Sequence, residues 1–358
     1  MKFLIITMGP GETSQGAAFG RYVIQKGHSV SFRILRPENR TFFRGLPVTV
    51  KSTRDGMEAA KDITKGGFDV VVFCNSKIFK SQDIHKIEPS PRPFCCSIDS
   101  NWLFGKDVEY PWIGWLDNYY INLPVKVFKL GLSENGGNFN IADNVKSRLV
   151  DVGMIPSYKP LDKSESQKIR NKIGVKQNQN LLFSYIGSSI TYKDQFQKKY
   201  IETMKVLQNK YHDKIKIMSV GKELHIPQTI STLQNVSSEW FYRYLASSDI
   251  VFQHQGLGTL EQAISARIPV IANVIRPEKG EKVNAHAWEV GPFEKAGLCK
   301  MHYYDDPVQN VVESVEKLIF NQNIRQKMID SQKKHYSMGE KTMLENIEAS
   351  VKGRKQEE

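Results

Sequence analysis

Cysteines are few in this sequence, and their positions exclude two common roles. The chain has 358 residues and 4 cysteines. Cys95 and Cys96 are adjacent and cannot readily bridge to each other, whereas Cys74 and Cys299 stand singly in or near apolar runs. A disulfide-held secreted domain or a cysteine cluster that binds a metal ion needs a different spacing. The sequence therefore predicts buried thiols.

Long hydrophobic runs are absent as well. A transmembrane helix needs about 20 consecutive apolar residues, and the longest runs here are interrupted by Lys, Asp or Asn within roughly a dozen. The opening stretch MKFLIITMGPGE has a short apolar segment and no small-residue cleavage pattern. It favours a first β-strand over a secretory signal peptide. We expect a soluble, cytoplasmic protein.

The charge is unbalanced toward basic residues. The sequence has 50 Lys and Arg against 38 Asp and Glu, a formal net charge of +12. Such an excess favours an anionic partner: nucleic acid, an acidic membrane surface or a phosphorylated small molecule. The lysines are mostly dispersed, and no aromatic-basic interleaving, zinc-finger spacing or helix-turn-helix pattern stands out. We expect no nucleic-acid partner, and a peripheral contact with the cytoplasmic membrane face stays open.

The order of apolar and amphipathic segments indicates two α/β domains. Runs such as KFLIITM, HSVSFRIL and FDVVVFC alternate with helix-length segments, and a second series with LLFSYIG, KIKIMSVG, DIVFQH and PVIANVI follows a polar, lysine-rich stretch. This alternation is typical of parallel sheets. We expect two Rossmann-like, doubly wound domains facing each other across a cleft. The predicted domains are 1–156 and 180–358, with a linker at 157–179 and a charged helical tail on the second domain. The tail could alternatively pack back across the cleft.

The stretch HQGLGTLEQ, which begins at His254, follows one of these strands and precedes a helix. Ligands of such sheets bind beyond the carboxyl ends of the strands. Gly256 and Gly258 leave backbone N–H groups uncovered, and Thr259 to Gln262 has the spacing of a capping box at a helix start. Unpaired N–H groups and the positive end of a helix attract anions. The stretch therefore predicts a phosphate or diphosphate site, although His254 and Gln262 could also be purely structural.

A longer pattern resembles the donor-binding motif of GT-B glycosyltransferases. This group includes the UDP-glycosyltransferases and the bacterial N-acetylglucosaminyltransferase of peptidoglycan synthesis. The order of features is similar over nearly the whole chain. The residues that carry the resemblance are His254, Gly256, Gly258, Thr259, Gln262, Pro269, Asn284 and Ala285.

The resemblance implies a set of donor-binding residues. The ribose would contact Gln262, the sugar would contact Glu281 and Asn284, and the nucleotide base would contact Trp240 or Phe241. A core role for the two aromatic residues is the alternative. The diphosphate would contact Gly187, Ser188, Ser189, His254, Gly256, Leu257, Gly258 and Thr259.

The sequence departs from the family pattern at two places. Gln262 stands where the family usually has Glu, and an amide accepts fewer hydrogen bonds from ribose hydroxyls than a carboxylate does. The family has an Asp-Gln pair before Asn284, whereas this chain has Gly280 and Glu281. The identity of the donor sugar is therefore open.

Two carboxylates are candidates for catalysis. In many enzymes of this family a histidine after the first strand acts as general base, and Glu12 stands at that position, where a carboxylate can also serve. Asp99 ends the run PFCCSID and resembles the aspartate that orients the histidine. Alternatively, Glu12 complements a helix that begins near Thr13 or Ser14, and Asp99 caps the turn that follows it.

The resemblance implies transfer of a hexosyl group, with inversion, from a nucleoside diphosphate sugar to an acceptor. UDP is the expected nucleotide, no metal or other cofactor is expected, and the acceptor could be a small molecule, a glycan or a lipid-linked compound. A nucleotide-sugar hydrolase or epimerase is one alternative. A catalytically silent binding protein is another, because the histidine and the Asp-Gln pair are missing. The stretch GPGETS is only a partial dinucleotide fingerprint and supports a nicotinamide enzyme weakly.

Overall fold

Two compact units make up the protein, which we describe from a computed structural model. Unit 1 comprises Met1–Ser157 and Ser337–Glu358, and unit 2 comprises Tyr158–Tyr336. The structure describes residues 1–53, 56–74, 93–100, 126–130, 149–155, 158, 160–185, 193–221, 230–234, 236–254, 256–276 and 285–357.

The described residues form thirteen strands, and every pairing between them is parallel. The strands are β1 (Lys2–Thr7), β2 (Ser29–Ile34), β3 (Thr49–Ser52), β4 (Val70–Cys74), β5 (Phe94–Ser100), β6 (Lys126–Leu130), β7 (Leu149–Gly153), β8 (Asn180–Tyr185), β9 (Ile215–Val220), β10 (Ser231–Leu233), β11 (Ile250–His254), β12 (Val270–Val274) and β13 (Lys300–Tyr303).

Helices connect these strands, together with a short 3₁₀ helix at Pro37–Phe43. The α-helices in the described part of the chain are α1 (Pro10–Gln25), α2 (Gly56–Lys65), α3 (Lys163–Lys172), α4 (Lys193–Tyr211), α5 (Ser238–Ala246), α6 (Leu257–Ala266), α7 (Ala285–Lys295), α8 (Val308–Phe320), α9 (Gln322–His335) and α10 (Gly339–Glu357).

Each unit is built around one parallel sheet. The order is β3-β2-β1-β4-β5-β6-β7 in unit 1 and β10-β9-β8-β11-β12-β13 in unit 2. The strand order reverses between β1 and β4 and again between β8 and β11. Such switch points open a crevice beyond the carboxyl ends of the strands, where ligands of doubly wound sheets bind. The predicted fold class, two doubly wound α/β sheets, is confirmed.

Apolar sequence runs explain why the central strands form. All five residues of β4, VVVFC, are buried, as are all five of β11, IVFQH. A strand that is covered by helices on both faces reads as a continuous apolar run, because neither face meets water. The polar residues at the end of β11 are therefore exceptions that call for a local explanation.

The last helix belongs to unit 1 and not to the second domain, so of the two placements left open for the charged tail, the structure shows packing with the N-terminal residues. Helix α10 places Met343, Leu344 and Ile347 in the hydrophobic core of unit 1. His28, between α1 and β2, lies 3.1 Å from the carboxylate of Glu348. The apolar face of α10 packs against residues near the start of the chain. A local sequence pattern cannot reveal a contact between segments so far apart in the sequence.

All four cysteines are buried and free, which confirms the expectation of buried thiols. None of the described helices combines the length and the apolar character that a membrane crossing requires.

Candidate functional site

A glycine turn joins β11 to α6 at the switch point of unit 2. The strand ends at His254, and Gly256 is the residue that directly precedes the helix. Gly256 has φ 119° and ψ 142°, a conformation that residues with a Cβ rarely adopt. The chain therefore requires glycine at this position in order to pass from the strand into the helix.

Helix α6 begins at Leu257 without a side-chain cap, which corrects one expectation. The predicted capping box at Thr259 is wrong, because Thr259 is already the third residue of the helix, and no side chain accepts a hydrogen bond at the Gly256 cap. The first turn of α6 also has no acidic residue. The unpaired N–H groups of a helix start are the feature that an anion can satisfy.

Gly258 lies in the first turn of α6 and is not needed for packing. Among the described residues, a Cβ at this position would meet no atom within 4 Å apart from its chain neighbours and the backbone of its own helix. The described fold therefore leaves open space over the start of α6. This space is what a bound phosphate would require.

His254 is held by β8 and α4. The residue is 7% exposed, and its Nδ1 lies 3.3 Å from the carbonyl oxygen of Tyr185. Because a carbonyl oxygen only accepts hydrogen bonds, Nδ1 carries a proton in this contact. The rings of Tyr185 and Phe196 lie 5.5 Å and 5.7 Å from the imidazole, measured between centroids. These contacts fix the orientation of the imidazole at the end of β11.

Gln262 lies in α6, four residues after Gly258 and hence about one helical turn away. Its side chain is buried. The position, about one helical turn from Gly258, is compatible with the ribose contact that the sequence implies.

The two aromatic residues predicted to meet the nucleotide base differ in their surroundings. Lys172 Nζ lies 4.5 Å and Arg243 Cζ lies 5.1 Å from the ring centroid of Trp240. Phe241 packs edge-on against Tyr185, with 4.9 Å between centroids. Phe241 thus reaches the end of β8, where the backbone also contacts His254. Trp240 is engaged with two cations.

Glu12 lies in the first turn of α1 in unit 1. The helix begins at Pro10, earlier than the start near Thr13 or Ser14 that the sequence suggested. A proline at the first helical position is favourable, because its ring fixes φ and its missing N–H has no partner there. The Glu12 carboxylate folds back over Gly9. This geometry matches the structural role that was considered for Glu12.

Asp99 is the penultimate residue of β5, and it does not lie on a strand adjacent to β1. β4 separates the two strands, and Thr7, Cys74 and Ile98 are in register across them. Neighbouring strands are about 4.8 Å apart, so the ends of β1 and β5 are roughly 10 Å apart.

No family model matches the sequence, and no curated protein matches it. Solved structures do share its fold. MnaA from S. aureus, solved with UDP, has a TM-score of 0.70 and 11% identity, covering 98% of this chain and 97% of that chain. UGT89C1 from Arabidopsis thaliana, complexed with UDP, has a TM-score of 0.67 and 9% identity, with coverages of 98% and 99%.

A third structure is a protein assigned as a UDP-N-acetylglucosamine 2-epimerase from Listeria monocytogenes. Its TM-score is 0.66 at 11% identity, covering 96% of this chain and 94% of that chain. All three likenesses span nearly the full length of both chains. The chain has the GT-B fold.

Several predicted site residues of this GT-B chain lie outside the described residues. One group lies between β8 and α4 in the sequence, and another lies between β12 and α7. The residues concerned are Gly187, Ser188, Ser189, Glu281 and Asn284.

An ionic cluster holds the chain where it leaves β12. The Arg276 Nε lies 2.9 Å from Asp305 Oδ2, and its Nη2 lies 2.7 Å from Asp306 Oδ1. The hydrogen bond from Arg276 lowers the pKa of the Asp305 carboxyl below its usual value. The described residues contain no group of three or more His, Cys, Asp or Glu side chains that could hold a metal ion.

Sequence reasoning missed the polar residues that surround the glycine turn. Gln253 in β11 and Asn273 in β12 are fully buried, and both donate hydrogen bonds to backbone carbonyls beside His254. The available signal was a polar residue near the end of an otherwise apolar run, in DIVFQH and PVIANV. That signal cannot reveal which carbonyl each amide contacts.

Proposed function

We propose that this GT-B chain is a cytoplasmic glycosyltransferase that uses a UDP-sugar donor. The observation that carries the proposal is the glycine turn at the switch point of unit 2. There the uncapped start of α6, the open space at Gly258 and the buried His254 lie together. UDP is the favoured nucleotide because MnaA and UGT89C1, which share the fold, were solved with UDP.

The diphosphate accepts hydrogen bonds from the start of α6 and from His254. Backbone N–H groups of Leu257, Gly258 and Thr259 lie at the positive end of the helix, where negative charge is stabilised. Gly256 provides the turn that directs them. Gly187, Ser188 and Ser189, which follow β8 in the sequence, complete the proposed diphosphate site.

The remaining donor contacts surround this centre. Gln262 hydrogen-bonds the ribose, and Glu281 and Asn284 contact the sugar. Phe241 is the better placed of the two aromatic residues for the base, because it packs beside Tyr185, whereas Trp240 is engaged with Lys172 and Arg243.

The reaction is a displacement at the anomeric carbon. The acceptor oxygen or nitrogen forms a bond to that carbon, the bond to the diphosphate oxygen breaks, and UDP departs with the electron pair. Attack from the opposite face inverts the configuration. The helix start and His254 stabilise the charge that develops on the leaving group, so the proposal includes no metal ion or other cofactor.

A general base removes the acceptor proton. Glu12 is assigned this role, for which its carboxylate must leave its position over Gly9. Asp99 is assigned a supporting position at the end of β5. Positioned general bases contribute typically 100- to 10,000-fold to rate.

An epimerase is the second candidate, since a protein assigned as a UDP-N-acetylglucosamine 2-epimerase shares the fold. A hydrolase and a catalytically silent binding protein remain alternatives to be tested against it. Each differs from a transferase in its need for an acceptor. A transferase releases UDP only when an acceptor is present, whereas a hydrolase releases it with water alone.

The experiment is an incubation with UDP-, GDP- and TDP-sugars, with and without a panel of hydroxyl and amine acceptors. The readouts are release of nucleoside diphosphate and the stereochemistry of the product. Acceptor-dependent release of UDP with an inverted product supports the proposal. Conversion of the sugar without UDP leaving the enzyme indicates an epimerase, and binding without any conversion indicates a silent protein.

A separate experiment tests whether the acceptor is lipid-linked or anionic. It uses the excess of basic residues, which favours binding to an anionic surface. A lipid-linked or anionic acceptor would draw the protein to anionic membranes, because each Lys or Arg near such a surface contributes about 1 kcal/mol. Co-sedimentation with liposomes containing anionic lipid, at low and high salt, measures this attraction. Absence of binding at low salt excludes the membrane and leaves a dissolved acceptor. No nucleic-acid partner is proposed.

A further inference from the structure

Two buried amides flank the glycine turn. Gln253 and Asn273 are both 0% exposed. The Asn273 Nδ2 donates to the carbonyl oxygen of Gln253 at 3.1 Å, and the Gln253 Nε2 donates to the carbonyl oxygen of Gly256 at 3.5 Å. The accepting carbonyls lie on either side of His254, one before it and one at the start of α6.

The two amides approach the turn from opposite faces of the sheet. Asn273 is in register with His254 across β11 and β12, so their side chains share a face. Gln253 precedes His254 in the same strand, and consecutive residues of a strand point to opposite faces. The backbone that carries His254 is therefore held from both sides.

Each amide carries an oxygen without a hydrogen-bond partner in the described part of the structure. These atoms are Oε1 of Gln253 and Oδ1 of Asn273. A buried acceptor of this kind is unfavourable, and an apolar residue of similar shape would avoid it. Turning either amide around would place its oxygen against a carbonyl oxygen, so the N–H donation fixes the orientation. What Gln253 and Asn273 contribute, and apolar residues could not, is therefore the hydrogen bond that each donates to a backbone carbonyl.

We infer that Gln253 and Asn273 are positioning residues that preorganise the glycine turn for a diphosphate. The inference rests on the proposed function for its ligand. A turn with glycines at 256 and 258 loses much conformational freedom when it becomes ordered. Fixing the carbonyls of Gln253 and Gly256 before the ligand arrives removes part of that cost from binding.

The test compares Gln253→Met and Asn273→Leu with a matched control, Gln332→Met. Gln332 is another fully buried amide of unit 2, and its Nε2 donates to the carbonyl oxygens of Ile268 and Leu298 at 3.0 Å each. Ile268 and Leu298 precede β12 and β13. The control therefore removes the same kind of donated hydrogen bond, at the amino ends of the strands of the same sheet.

Two measurements are made on each protein. Affinities for UDP and for uridine are measured by calorimetry, because uridine lacks the diphosphate. We expect the UDP affinity of Gln253→Met and Asn273→Leu to fall by about tenfold, the equivalent of one hydrogen bond, with uridine affinity unchanged. Gln332→Met should change neither affinity, even where it lowers the melting temperature as much.

The second measurement is amide hydrogen exchange of the segment 253–260 without ligand. We expect faster exchange in this segment in the two variants and not in the control. If exchange and the ratio of UDP to uridine affinity both match wild type, the inference is overturned. If wild-type protein binds no UDP, the proposed function fails, and exchange alone then decides whether the amides hold the turn.

Gln253→Ala and Asn273→Ala provide a second route if Gln253→Met or Asn273→Leu does not fold. Alanine removes the hydrogen-bond donor and does not require a larger apolar side chain to fit the same space. The same loss of UDP affinity and of exchange protection is expected. Wild-type values for both measurements in these variants would also overturn the inference.

Discussion

The carboxylate of Glu12 occupies the space in which a Cβ of Gly9 would lie. Gly9 directly precedes α1 and Glu12 is in its first turn, so the carboxylate stands at the positive end of the helix. A Cβ at position 9 would therefore require the flexible end of the Glu12 side chain to move. The contact gives Glu12 a structural role that can be separated from a catalytic one by experiment.

Replacing Glu12 by Gln should distinguish these roles. If Glu12 is the base, turnover falls by 100- to 10,000-fold with donor affinity nearly unchanged, because the acceptor keeps its proton. If the side chain only complements the helix, unfolding free energy falls by about 0.3–1 kcal/mol and turnover stays normal. The measurements are turnover, UDP affinity and thermal unfolding. Glu38→Gln, at an exposed residue in the first turn of the 3₁₀ helix, is the matched control.

The two glycines of the turn should respond differently to alanine. Gly258→Ala should preserve or raise stability by up to about 1 kcal/mol, since the site is helical and a Cβ has space. It should nevertheless weaken UDP binding, because the Cβ covers the helix start. Gly256→Ala should destabilise the fold by roughly 1–3 kcal/mol, because alanine rarely adopts a φ of 119°.

Calorimetry with UDP and thermal unfolding measure both effects of these glycine substitutions. Unchanged UDP affinity in Gly258→Ala would remove α6 from the diphosphate site. It would not affect the conclusion about the fold.

His254 should contribute to the affinity for UDP. Its Nδ1 lies 3.3 Å from the carbonyl oxygen of Tyr185, and this contact holds the ring at the end of β11. His254→Gln should lower UDP affinity by about tenfold and leave uridine affinity unchanged, because uridine lacks the diphosphate. Calorimetry with UDP and with uridine measures both affinities. Equal UDP affinity in the variant and the wild type would remove His254 from the diphosphate site.

Unit 1 should lose stability as pH rises through neutrality. Burial raises the pKa of Glu340, in the first turn of α10, to about 7. Because the folded-state pKa is above the unfolded value, the stabilising contribution is complete below the unfolded pKa and is lost as pH rises through about 7. The full effect is roughly 3 kcal/mol.

Glu340→Gln mimics the protonated carboxyl and should remove this pH dependence. Thermal unfolding at pH 5 and pH 8 measures it, and the variant should exceed wild type most at pH 8. Glu345→Gln, at an exposed residue of the same helix, is the control and should show no such trend. A variant that follows wild type at both pH values would contradict the assignment.

The two parallel sheets and the position of the glycine turn after His254 could be predicted from the sequence alone. Buried strands of parallel sheets are continuous apolar runs, and β4 and β11 are such runs. The glycines after His254 mark the turn because a positive φ and an uncovered helix start both favour glycine. These are local properties, so they are visible in a short stretch of chain.

Other features depend on partners that are distant in sequence. The start of α1 at Pro10 was missed because Gly9 and Gly11 suggest a turn, whereas the helix uses the proline as its first residue. The contacts of Gln253 and Asn273 with carbonyls depend on strand register and side-chain direction. Packing of Met343 in unit 1 depends on the folded surface of α1 and its sheet. None of these is encoded in the spacing of neighbouring residues.

The return of α10 to unit 1 has a consequence for the order in which the protein is completed during synthesis. Unit 2 is one continuous segment, whereas unit 1 combines Met1–Ser157 with Ser337–Glu358. Met343, Leu344 and Ile347 of the unit 1 core are therefore translated after every residue of unit 2. The domain begun first is the one finished last.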